Sequence, residues 1–512
     1  MNQRAKFTYR DFYDVPRMIV LNHRGQKLLL DCKFDDSLDD YPATYRLYIL
    51  PPEIAENSET SWASMPSKAV RYVGEIPVSH VVSDHTKRAE LETSVIDSLL
   101  IGPTPARQEG AIMAKYTVIT MPGDGIGNQV LPESLRVLKA VGFDAEYIHA
   151  DIGWDCWCAQ GNALPDRTIE LLTKHKLGLF GAITSKPNKA AQAELKPELQ
   201  GKGYVYYSPI VTMRQKFNLD ICMRPCAGFA GNALNYIRKK ADGGYGELGF
   251  DEPKIDTTVF RQGTEGLYAG VEWTNPPENV RAALNSHTRF KAFASVPGPE
   301  IAVSCRIITR KAAQRIVTSA FEYAKKRGFK GVTICEKPNV VRETSGMMEE
   351  VAKEVAKNYP GIALWSTNID AQLMWLNKNP EEYNVIVSSN LFGDILSDAF
   401  AGLVGGLGFA ASGNIGDDVA VFEPTHGSAP KYAELNPPIV NPIAMILSAA
   451  MMLDHVGEDE KANRIREAIA DVVREGKVRT YDMMRFTGGP KAISQGAAST
   501  VQMTDAILEK LK

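Results

Sequence analysis

The sequence predicts an α/β protein preceded by a small β-rich domain, and its pattern from Tyr116 onward carries the α/β part of this prediction. There the chain reads as a strand (YTVITMP), a glycine-rich turn (GDGIG), an amphipathic helix (NQVLPESLRVLKAVG) and a second strand (AEYIHADIG). Strands that alternate with helices are typical of an open sheet with helices packed on its faces. Further along, RKAAQRIVTSAFEYAKKRG predicts an amphipathic helix that ends in a basic turn and a glycine.

Residues 1–112 follow a different pattern. The runs MIVLNH, QKLLLDCKF, TYRLYIL and AVRYVGEIPV are rich in β-prone residues and are separated by polar or proline-containing turns. RAELETSVIDSLL predicts one closing helix. The linker GPTPARQEGAIMAK then leads into the α/β part near Met113, so we interpret residues 1–112 as an accessory module of unknown role.

The amino-acid composition and net charge limit the kinds of binding partner that we expect. With 44% hydrophobic residues, 23% charged residues and a net charge of −3, the chain has no electrostatic reason to bind nucleic acid. No apolar run reaches membrane-spanning length, and the first residues lack the apolar core of a signal peptide. Seven scattered cysteines argue against a disulfide framework. We therefore expect a cytoplasmic protein that binds neither nucleic acid nor membrane.

The segment NLFGDILSDAFAGLVGGLG carries a pair of carboxylates. If it is helical from Leu391 to about Leu403, Asp394 and Asp398 lie one turn apart on one face. Like charges at this spacing repel by roughly 0.2–0.5 kcal/mol on an exposed helix, and by more when buried. The pair therefore suggests a hard cation, Mg²⁺ or Mn²⁺. The alternative is two ordinary surface aspartates near a helix N-terminus.

Three arginines are candidates for binding a polycarboxylate. Arg214 lies in SPIVTMRQ, Arg224 in MRPC and Arg261 in VFRQGTEGLYAG. Guanidinium groups hold carboxylates bidentately, so three converging arginines would suit a substrate with two or three carboxylates. Tyr268 and Lys337 could act as general acid or base if neighbours shift their pKa values. Taken singly, each of the five has a packing or surface role as its alternative.

Six motifs that occur in order favour the functional roles of these residues over the packing and surface roles. They are MPGDGIG, SPIVTMR with MRP, FRQGTEGLYAGVEW, EKPN, NLFGDILSDAFAGLVGGLG and EPTHGSAP. From Tyr116 to the C-terminus the chain resembles the β-hydroxyacid oxidative decarboxylases, which include the isocitrate, homoisocitrate and 3-isopropylmalate dehydrogenases. The resemblance implies that family's two-domain α/β/α fold. Residues 113–220 and 405–512 would form the large, cofactor-side domain, and residues 221–404 the small domain with the dimer-forming segment.

The resemblance also implies an active site shared between two subunits of a homodimer. Asp394 and Asp398 match the metal-site aspartates, and Asp370 matches the aspartate that reaches the metal from the other subunit. Lys337, with Asn339 two residues on, resembles the catalytic lysine contributed across the dimer. The three arginines resemble those that hold the malate portion of every substrate of the family. The tyrosine at 268 resembles the acid that protonates the enolate after CO₂ leaves.

The cofactor implied is NADP. Lys431 and Tyr432 stand where NAD enzymes of the family place an aspartate and an apolar residue, and a lysine there would attract a 2′-phosphate. Tyr481 and Arg485 resemble a second patch of 2′-phosphate contacts. The remaining predicted cofactor contacts are Thr184, His426, Gly427 and Asn441. The glycines of the GDGIG turn resemble those of a dinucleotide phosphate-binding loop. The family resemblance implies instead that this turn lies near the active cleft and does not bind the pyrophosphate.

The substrate prediction depends on two residues, Ser208 and Ile210. Ser208 matches the serine that meets the third carboxylate in isocitrate dehydrogenases, but Ile210 stands where those enzymes usually have asparagine. An isoleucine cannot donate a hydrogen bond to a carboxylate. We expect isocitrate, with homoisocitrate and 3-isopropylmalate as alternatives. Two hypotheses of other classes are a non-catalytic regulatory subunit and a protein whose N-terminal module is the principal functional part.

Overall fold

The computed structural model describes residues 4–13, 15–23, 26–32, 44–50, 71–78, 81–83, 88–92, 96, 114–239 and 249–512. The chain divides into two compact units, Met1–Met113 and Ala114–Lys512. The division falls beside Met113, where the sequence pattern changes. Within the described residues, no helix is both long enough and apolar enough to cross a membrane.

The first unit contains an antiparallel sheet of seven strands in the order β5-β4-β3-β2-β1-β7-β6. Its strands are β1 Arg4–Tyr13, β2 Val15–His23, β3 Gln26–Asp31, β4 Thr44–Leu50, β5 Arg71–Pro77, β6 Val81–Ser83 and β7 Arg88–Glu92. Leu28, Leu29 and Leu30 are all fully buried. Because successive strand residues point to opposite faces, this stretch of β3 is covered on both sides.

The β-rich character of this unit is confirmed, since the four predicted runs coincide with β2, β3, β4 and β5. The predicted closing helix is wrong at its start. Arg88–Glu92 is a strand that pairs with β1, with Ala89 opposite Phe7. Sheet pairing with a distant partner overrides the local preference for helix of RAELE. Of the remaining residues of that prediction, only Ile96 is described, and it is helical.

The second unit is built on a mixed sheet of ten strands in the order β18-β17-β19-β14-β11-β20-β21-β10-β8-β9. Its strands, together with two short hairpin ladders, are β8 Tyr116–Gly123, β9 Ala145–His149, β10 Leu177–Ala182, β11 Ile221–Ala227, β12 Arg238–Lys239, β13 Phe250–Asp251, β14 Asp256–Gln262, β15 Glu272–Thr274, β16 Ala302–Ser304, β17 Gly331–Glu336, β18 Ala363–Asn368, β19 Val385–Ser388, β20 Ala411–Ile415 and β21 Ala420–Pro424. The outer pairs are parallel, whereas β14-β11-β20-β21 in the middle are antiparallel. The α/β prediction is confirmed.

Helices cover both faces of this sheet. They are α1 Gly127–Ala140, α2 Trp154–Gln160, α3 Asp166–His175, α4 Asn188–Ala193, α5 Pro209–Lys216, α6 Glu278–Asn285, α7 Arg310–Arg327, α8 Arg342–Ala356, α9 Ile369–Leu376, α10 Asn390–Leu403, α11 Pro430–Ala433, α12 Ile443–His455, α13 Asp459–Glu475 and α14 Thr500–Leu511. One large core packs α1, α12, α13 and α14 against β8, β10 and β21. A second core packs α7 and α8 against β14, β17 and β19. The predicted division into two domains at 220/221 and 404/405 stays a prediction.

Candidate active site

The antiparallel middle of the sheet carries the site, because its strands place polar side chains on one common face. On β11, Cys222 lies opposite Arg261 of β14 and opposite Asn414 of β20. Side chains two residues apart on a strand share a face, so Arg224 lies on the same face as Cys222. Helix α10 packs on this face through Gly393, where a Cβ atom would come within 2.8 Å of the Cβ of Arg261. The helix that carries the aspartate pair therefore lies directly against the arginines.

Asp394 is the centre of the hydrogen-bond network. Its Oδ1 accepts hydrogen bonds from Arg224, at 2.9 Å, and from Arg261. Its Oδ2 accepts one from the hydroxyl of Tyr268, at 2.9 Å. Arg224 also donates to Ser397 Oγ at 2.9 Å and reaches Asp398 Oδ1 at 3.4 Å. Helix α10, predicted from Leu391 to about Leu403, thus presents both aspartates to the arginines.

Arg214 completes the group of arginines from the end of α5. It donates through Nε to Asn414 Oδ1 at 2.8 Å and through a terminal nitrogen to Glu423 Oε1 at 3.1 Å. Arg214, Arg224 and Arg261 are 5%, 7% and 2% exposed, respectively, so none is a surface arginine. The structure therefore brings together the three arginines that the sequence singled out.

The electrostatics of the group follow from burial and from these charges. Burial, together with the positive charges of Arg224 and Arg214, lowers the pKa of Arg261 to about 10. Burial opposes ionisation of Asp394, but Arg261 and Arg224 outweigh it and hold the pKa of that carboxyl below its usual range. Burial and the nearby Asp394 raise the pKa of Tyr268. The phenol therefore keeps its proton while the carboxylate stays ionised.

Asp398 behaves differently from Asp394. Burial and the negative charge of Asp394 raise its pKa, although Arg224 opposes the rise. Two neighbouring carboxylates whose pKa values move apart are a common feature of functional sites. Their oxygens are ligands that Mg²⁺ and Mn²⁺ prefer, so the pair fits a hard cation that receives further oxygen ligands.

Lys337 and Asp370 do not join this group within one chain. Lys337 Nζ lies 2.5 Å from Asp370 Oδ1, and this hydrogen bond lowers the pKa of Asp370. Among the described residues, no three His, Cys, Asp or Glu side chains are placed to hold a metal ion together. Asn339 is exposed in the turn after Lys337. The contribution of Lys337 and Asp370 to a partner's site stays a prediction.

A buried carboxylate beside Lys337 was not predicted. Glu336 is almost fully buried and accepts hydrogen bonds from Ser389 N at 2.7 Å and from Ser345 Oγ at 2.6 Å. It also forms an ion pair with Arg306 at 2.8 Å. Glu336 thereby joins the strand before Lys337 to the start of α10. The signal available in the sequence was its place at the end of a buried strand, beside a predicted catalytic residue.

The predicted cofactor side is organised by Asp124 of the GDGIG turn. Its carboxylate accepts hydrogen bonds from the backbone nitrogens of Thr184 and Trp154, both at 2.7 Å. Thr184 Oγ1 in turn lies 2.6 Å from Ser428 Oγ in the HGSAP segment. Gly125 has φ +54° and approaches so closely that a Cβ atom would lie 2.2 Å from Ser428 O. The glycine turn packs against the HGSAP segment.

The HGSAP region also carries unsatisfied polar atoms. Within the residues that the structure describes, Thr425 Oγ1 and His426 Nε2 are buried and have no hydrogen-bond partner. The other imidazole nitrogen of His426 lies 3.1 Å from Gly427 O. Burial lowers the pKa of His426, so the ring is neutral near pH 7. A buried polar atom without a partner is costly unless a ligand supplies one, so this segment fits a bound adenosine.

Three of the residues predicted to meet a 2′-phosphate lie together. Lys431 Nζ is 4.6 Å from the centre of the Tyr432 ring, and the rings of Tyr432 and Tyr481 are 5.4 Å apart. Arg485 has φ +57° and donates to Ala233 O at 3.5 Å. Asn441 is buried, and its side-chain amide donates a hydrogen bond to Asp482 Oδ2 at 3.1 Å.

The predicted specificity residues lie at the start of α5. Ser208 is the residue before the helix, and its side chain does not cap it. Ile210 is partly buried and packs against the core around Met213 and Ile119. Its side chain therefore contributes to packing, which the sequence alone did not indicate. Other buried polar residues that the sequence reasoning missed are Asn390, Ser397, Asn414 and Glu423, each of which positions an arginine.

Residues 117–507 match the family model described as isocitrate/isopropylmalate dehydrogenase. Protein DlpA of Legionella pneumophila is 33% identical over 392 residues, which is 77% of this chain but only 58% of that protein. The homoisocitrate dehydrogenase of Methanocaldococcus jannaschii is 41% identical over 353 residues, covering 69% of this chain and 88% of that protein. The crystal structure of isocitrate dehydrogenase from Methylococcus capsulatus superposes with a TM-score of 0.62 at 32% identity, covering 77% of this chain and 99% of that one.

Proposed function

Because the chain belongs to the isocitrate/isopropylmalate dehydrogenase family, we propose that it oxidatively decarboxylates isocitrate to 2-oxoglutarate with NADP and Mg²⁺ or Mn²⁺. The observation that carries the proposal is the convergence of Arg214, Arg224, Arg261 and Tyr268 around the carboxylate of Asp394. Buried guanidinium groups beside an acid and a pair of aspartates suit a polycarboxylate that loses CO₂.

The residues of this chain would orient the substrate and hold one proton. Arg224 and Arg261 now share Asp394, and substrate carboxylates would compete for the same guanidinium groups. Such orientation supplies several kcal/mol towards catalysis. Tyr268, whose pKa burial raises, keeps its proton for the enolate carbon. When bound, NADP would accept the hydride and the cation would polarise the hydroxyl and stabilise the enolate.

A homodimer with shared sites is the assembly we propose. Asp394 and Asp398 supply two carboxylates, and the third, Asp370, is paired with Lys337 elsewhere on the same chain. Large apolar side chains are exposed close to these residues: Val340 after Lys337, Met374 on the helix of Asp370, and Ile395 beside Asp394. A second copy would cover these side chains and bring its own lysine and aspartate to the pair.

NADP is favoured over NAD by the charge beside HGSAP. Lys431 and the rings of Tyr432 and Tyr481 form one cluster, and no carboxylate takes the place of Lys431 to repel a 2′-phosphate. The unsatisfied Thr425 Oγ1 and His426 Nε2 support an adenosine at this place.

The third substituent of the substrate decides among the family's activities. Ser208 does not cap α5, so its hydroxyl is available at a helix N-terminus, where a carboxylate is stabilised. Ile210 packs partly into the core, so less of its side chain is available to contact an alkyl substituent of the substrate. Homoisocitrate and 3-isopropylmalate are the alternatives, and the first matches the named activity of the Methanocaldococcus relative.

A regulatory subunit without activity is disfavoured, since Tyr268, Lys337, Asp370, Asp394 and Asp398 are all present. We also propose a cytoplasmic location, which rests on the scattered cysteines alone. The residues before Met113 form a separate unit whose role the proposal does not include.

An initial-rate panel tests the proposal. Isocitrate, homoisocitrate, 3-isopropylmalate, malate and tartrate are each assayed with NADP or NAD, with and without Mg²⁺ or Mn²⁺. We expect the highest kcat/KM with isocitrate, NADP and metal. Preference for homoisocitrate or 3-isopropylmalate would replace isocitrate as the proposed substrate, and preference for NAD would refute the proposed use of NADP. No turnover with any combination of acid and coenzyme would support a regulatory subunit without activity.

A further inference from the structure

A cavity lies on the face of the sheet opposite the arginine group. Its volume is about 380 Å³, and its lining includes Met223, Pro225 and Phe422. These residues alternate along β11 and β21 with Cys222, Arg224 and Glu423, whose side chains lie on the arginine face. The same strands therefore carry the candidate active site on one face and this cavity on the other.

The floor and walls of the cavity are apolar and rich in rings. Phe422, Phe409 and Met451 are buried and form part of its lining. The Phe229 and Phe409 rings are 5.9 Å apart, and the imidazole of His455 lies 5.5 Å from the Phe422 ring. Aromatic rings at these separations pack favourably against a further planar ring.

The charges around the mouth are paired with one another. Lys326 of α7 lies 3.1 Å from Asp459 of α13, and Arg327 lies 3.2 Å from Asp256. Arg466 is paired with Asp454 on the opposite wall. Because each basic side chain at the rim already faces an acidic one, the cavity offers no net charge to attract an anion or a cation. An uncharged ligand fits this balance.

Two uncharged polar groups remain for hydrogen bonding. Both His455 and Asn463 line the cavity. In the part of the chain that the structure describes, the imidazole of His455 makes no hydrogen bond, and Asn463 uses only its Oδ1, towards Arg466 at 3.3 Å. Burial lowers the pKa of His455, which keeps the ring neutral near pH 7. A ligand with one hydrogen-bonding group at its edge would supply a hydrogen-bond partner to His455 and to Asn463.

We propose that this cavity is an effector site for an uncharged aromatic molecule that carries a hydrogen-bonding group. A volume of about 380 Å³ lies within the range of small-molecule sites. Met223 and Arg224 are consecutive residues of β11, so displacement of the strand by a ligand on one face reaches the substrate arginines on the other. Occupancy of the cavity therefore alters substrate affinity, a statement that rests on the function proposed above.

The test uses N-phenyl-1-naphthylamine, a neutral three-ring amine whose fluorescence rises in apolar sites, with the full chain. We expect a saturable rise with one molecule bound per chain. Ala227→Phe places a ring at the cavity wall, and Leu447→Trp fills it from α12, so each should weaken binding at least tenfold. Ala140→Phe, an exposed alanine at the end of α1 outside the cavity, is the matched control and should bind as wild type.

Saturating probe should also change KM for the preferred substrate at least threefold with little change in kcat, and Ala227→Phe should abolish this effect. Binding that does not saturate, or that both cavity variants leave unchanged, overturns the proposal. An unaltered KM with the cavity filled overturns it as well. If the chain turns over no substrate, the proposed function fails, while the binding experiment still decides whether the cavity takes this class of ligand.

Discussion

The hydroxyl of Tyr268 donates a hydrogen bond to Oδ2 of Asp394 at 2.9 Å, and the other oxygen of that carboxylate accepts from Arg224 and Arg261. One side chain thereby links the proposed acid, two of the proposed substrate-binding arginines and the candidate metal pair. The pKa of Tyr268 is raised and that of Asp394 is lowered, so the proton of this hydrogen bond belongs to the tyrosine.

Tyr268→Phe should lower kcat for decarboxylation by roughly 10²–10⁴, the usual contribution of a positioned acid. KM should change little, because the arginines that we propose hold the substrate carboxylates are intact. Initial rates of NADPH formation measure both constants. Tyr359→Phe removes a hydroxyl that donates to Glu322 of α7 and has no bond to Asp394; this variant is the control and should behave as wild type. A loss of less than tenfold in the site variant would remove Tyr268 from the mechanism.

Shared active sites predict complementation between two inactive variants. Asp394→Asn and Lys337→Ala should each be inactive alone. After random mixing of subunits, half of the dimers are mixed, and in each of these one site has both native residues. About one quarter of wild-type activity should therefore return, as isologous dimer geometry requires. Activity that stays at zero in verified mixed dimers would place both residues in one subunit's site.

Lys431→Asp should shift the coenzyme preference towards NAD. The substitution replaces a positive charge by a carboxylate that repels the 2′-phosphate, so KM for NADP should rise by roughly tenfold or more while kcat is retained. Lys431→Arg keeps the charge and should keep the preference. Equal KM values for NADP in wild type and in the aspartate variant would show that this residue does not contact the phosphate.

Glu336→Gln should destabilise the second unit by roughly 3 kcal/mol, because it removes the partner of Arg306 inside the protein. It should also reduce kcat, since Glu336 holds the first turn of α10 through Ser389 N. Denaturant unfolding and initial rates measure the two effects. Exposed Glu343→Gln on α8 should change stability by less than about 0.5 kcal/mol. Similar values for both variants would refute the anchoring role.

Asp220 predicts a pH dependence of stability. Burial raises its pKa to about 6, well above the value of about 3.9 expected in an unfolded chain, although Arg315 lies 2.9 Å away. The folded state therefore binds this proton more tightly, so the stabilisation is complete below about pH 4 and is lost as pH rises through 6. Relative to Asp220→Asn, wild type should gain roughly 1–1.5 kcal/mol of unfolding free energy between pH 7.5 and 5, about half of the full effect that is reached below pH 4. Parallel pH profiles of the two proteins would contradict the raised pKa.

Local patterns sufficed for much of the fold. The strand at Tyr116–Gly123, the helix that carries Asp394 and the amphipathic helix Arg310–Arg327 follow from period and composition. The RAELE segment was mispredicted because its conformation depends on pairing with β1, which lies some 80 residues away in the chain. Local propensity carries no information about such a partner.

The site residues that lie in recognisable motifs could be predicted from the sequence. The residues whose role depends on partners distant in the chain could not. The three arginines and the aspartate pair come from separate motifs, and the structure brings them together across the antiparallel middle of the sheet. Glu336 and Asp124 were missed as positioning residues, since a carboxylate's partners are backbone and hydroxyl groups distant in sequence. Packing of Ile210 into the core likewise depends on its neighbours in space.

The central claim is tested most directly by the stoichiometry of turnover with isocitrate. With NADP and Mn²⁺, each isocitrate consumed should yield one NADPH, one CO₂ and one 2-oxoglutarate, and chelation of the metal should stop all three. NADPH formed without CO₂, turnover that survives complete metal removal, or no reaction with isocitrate under conditions where homoisocitrate or 3-isopropylmalate reacts would contradict it.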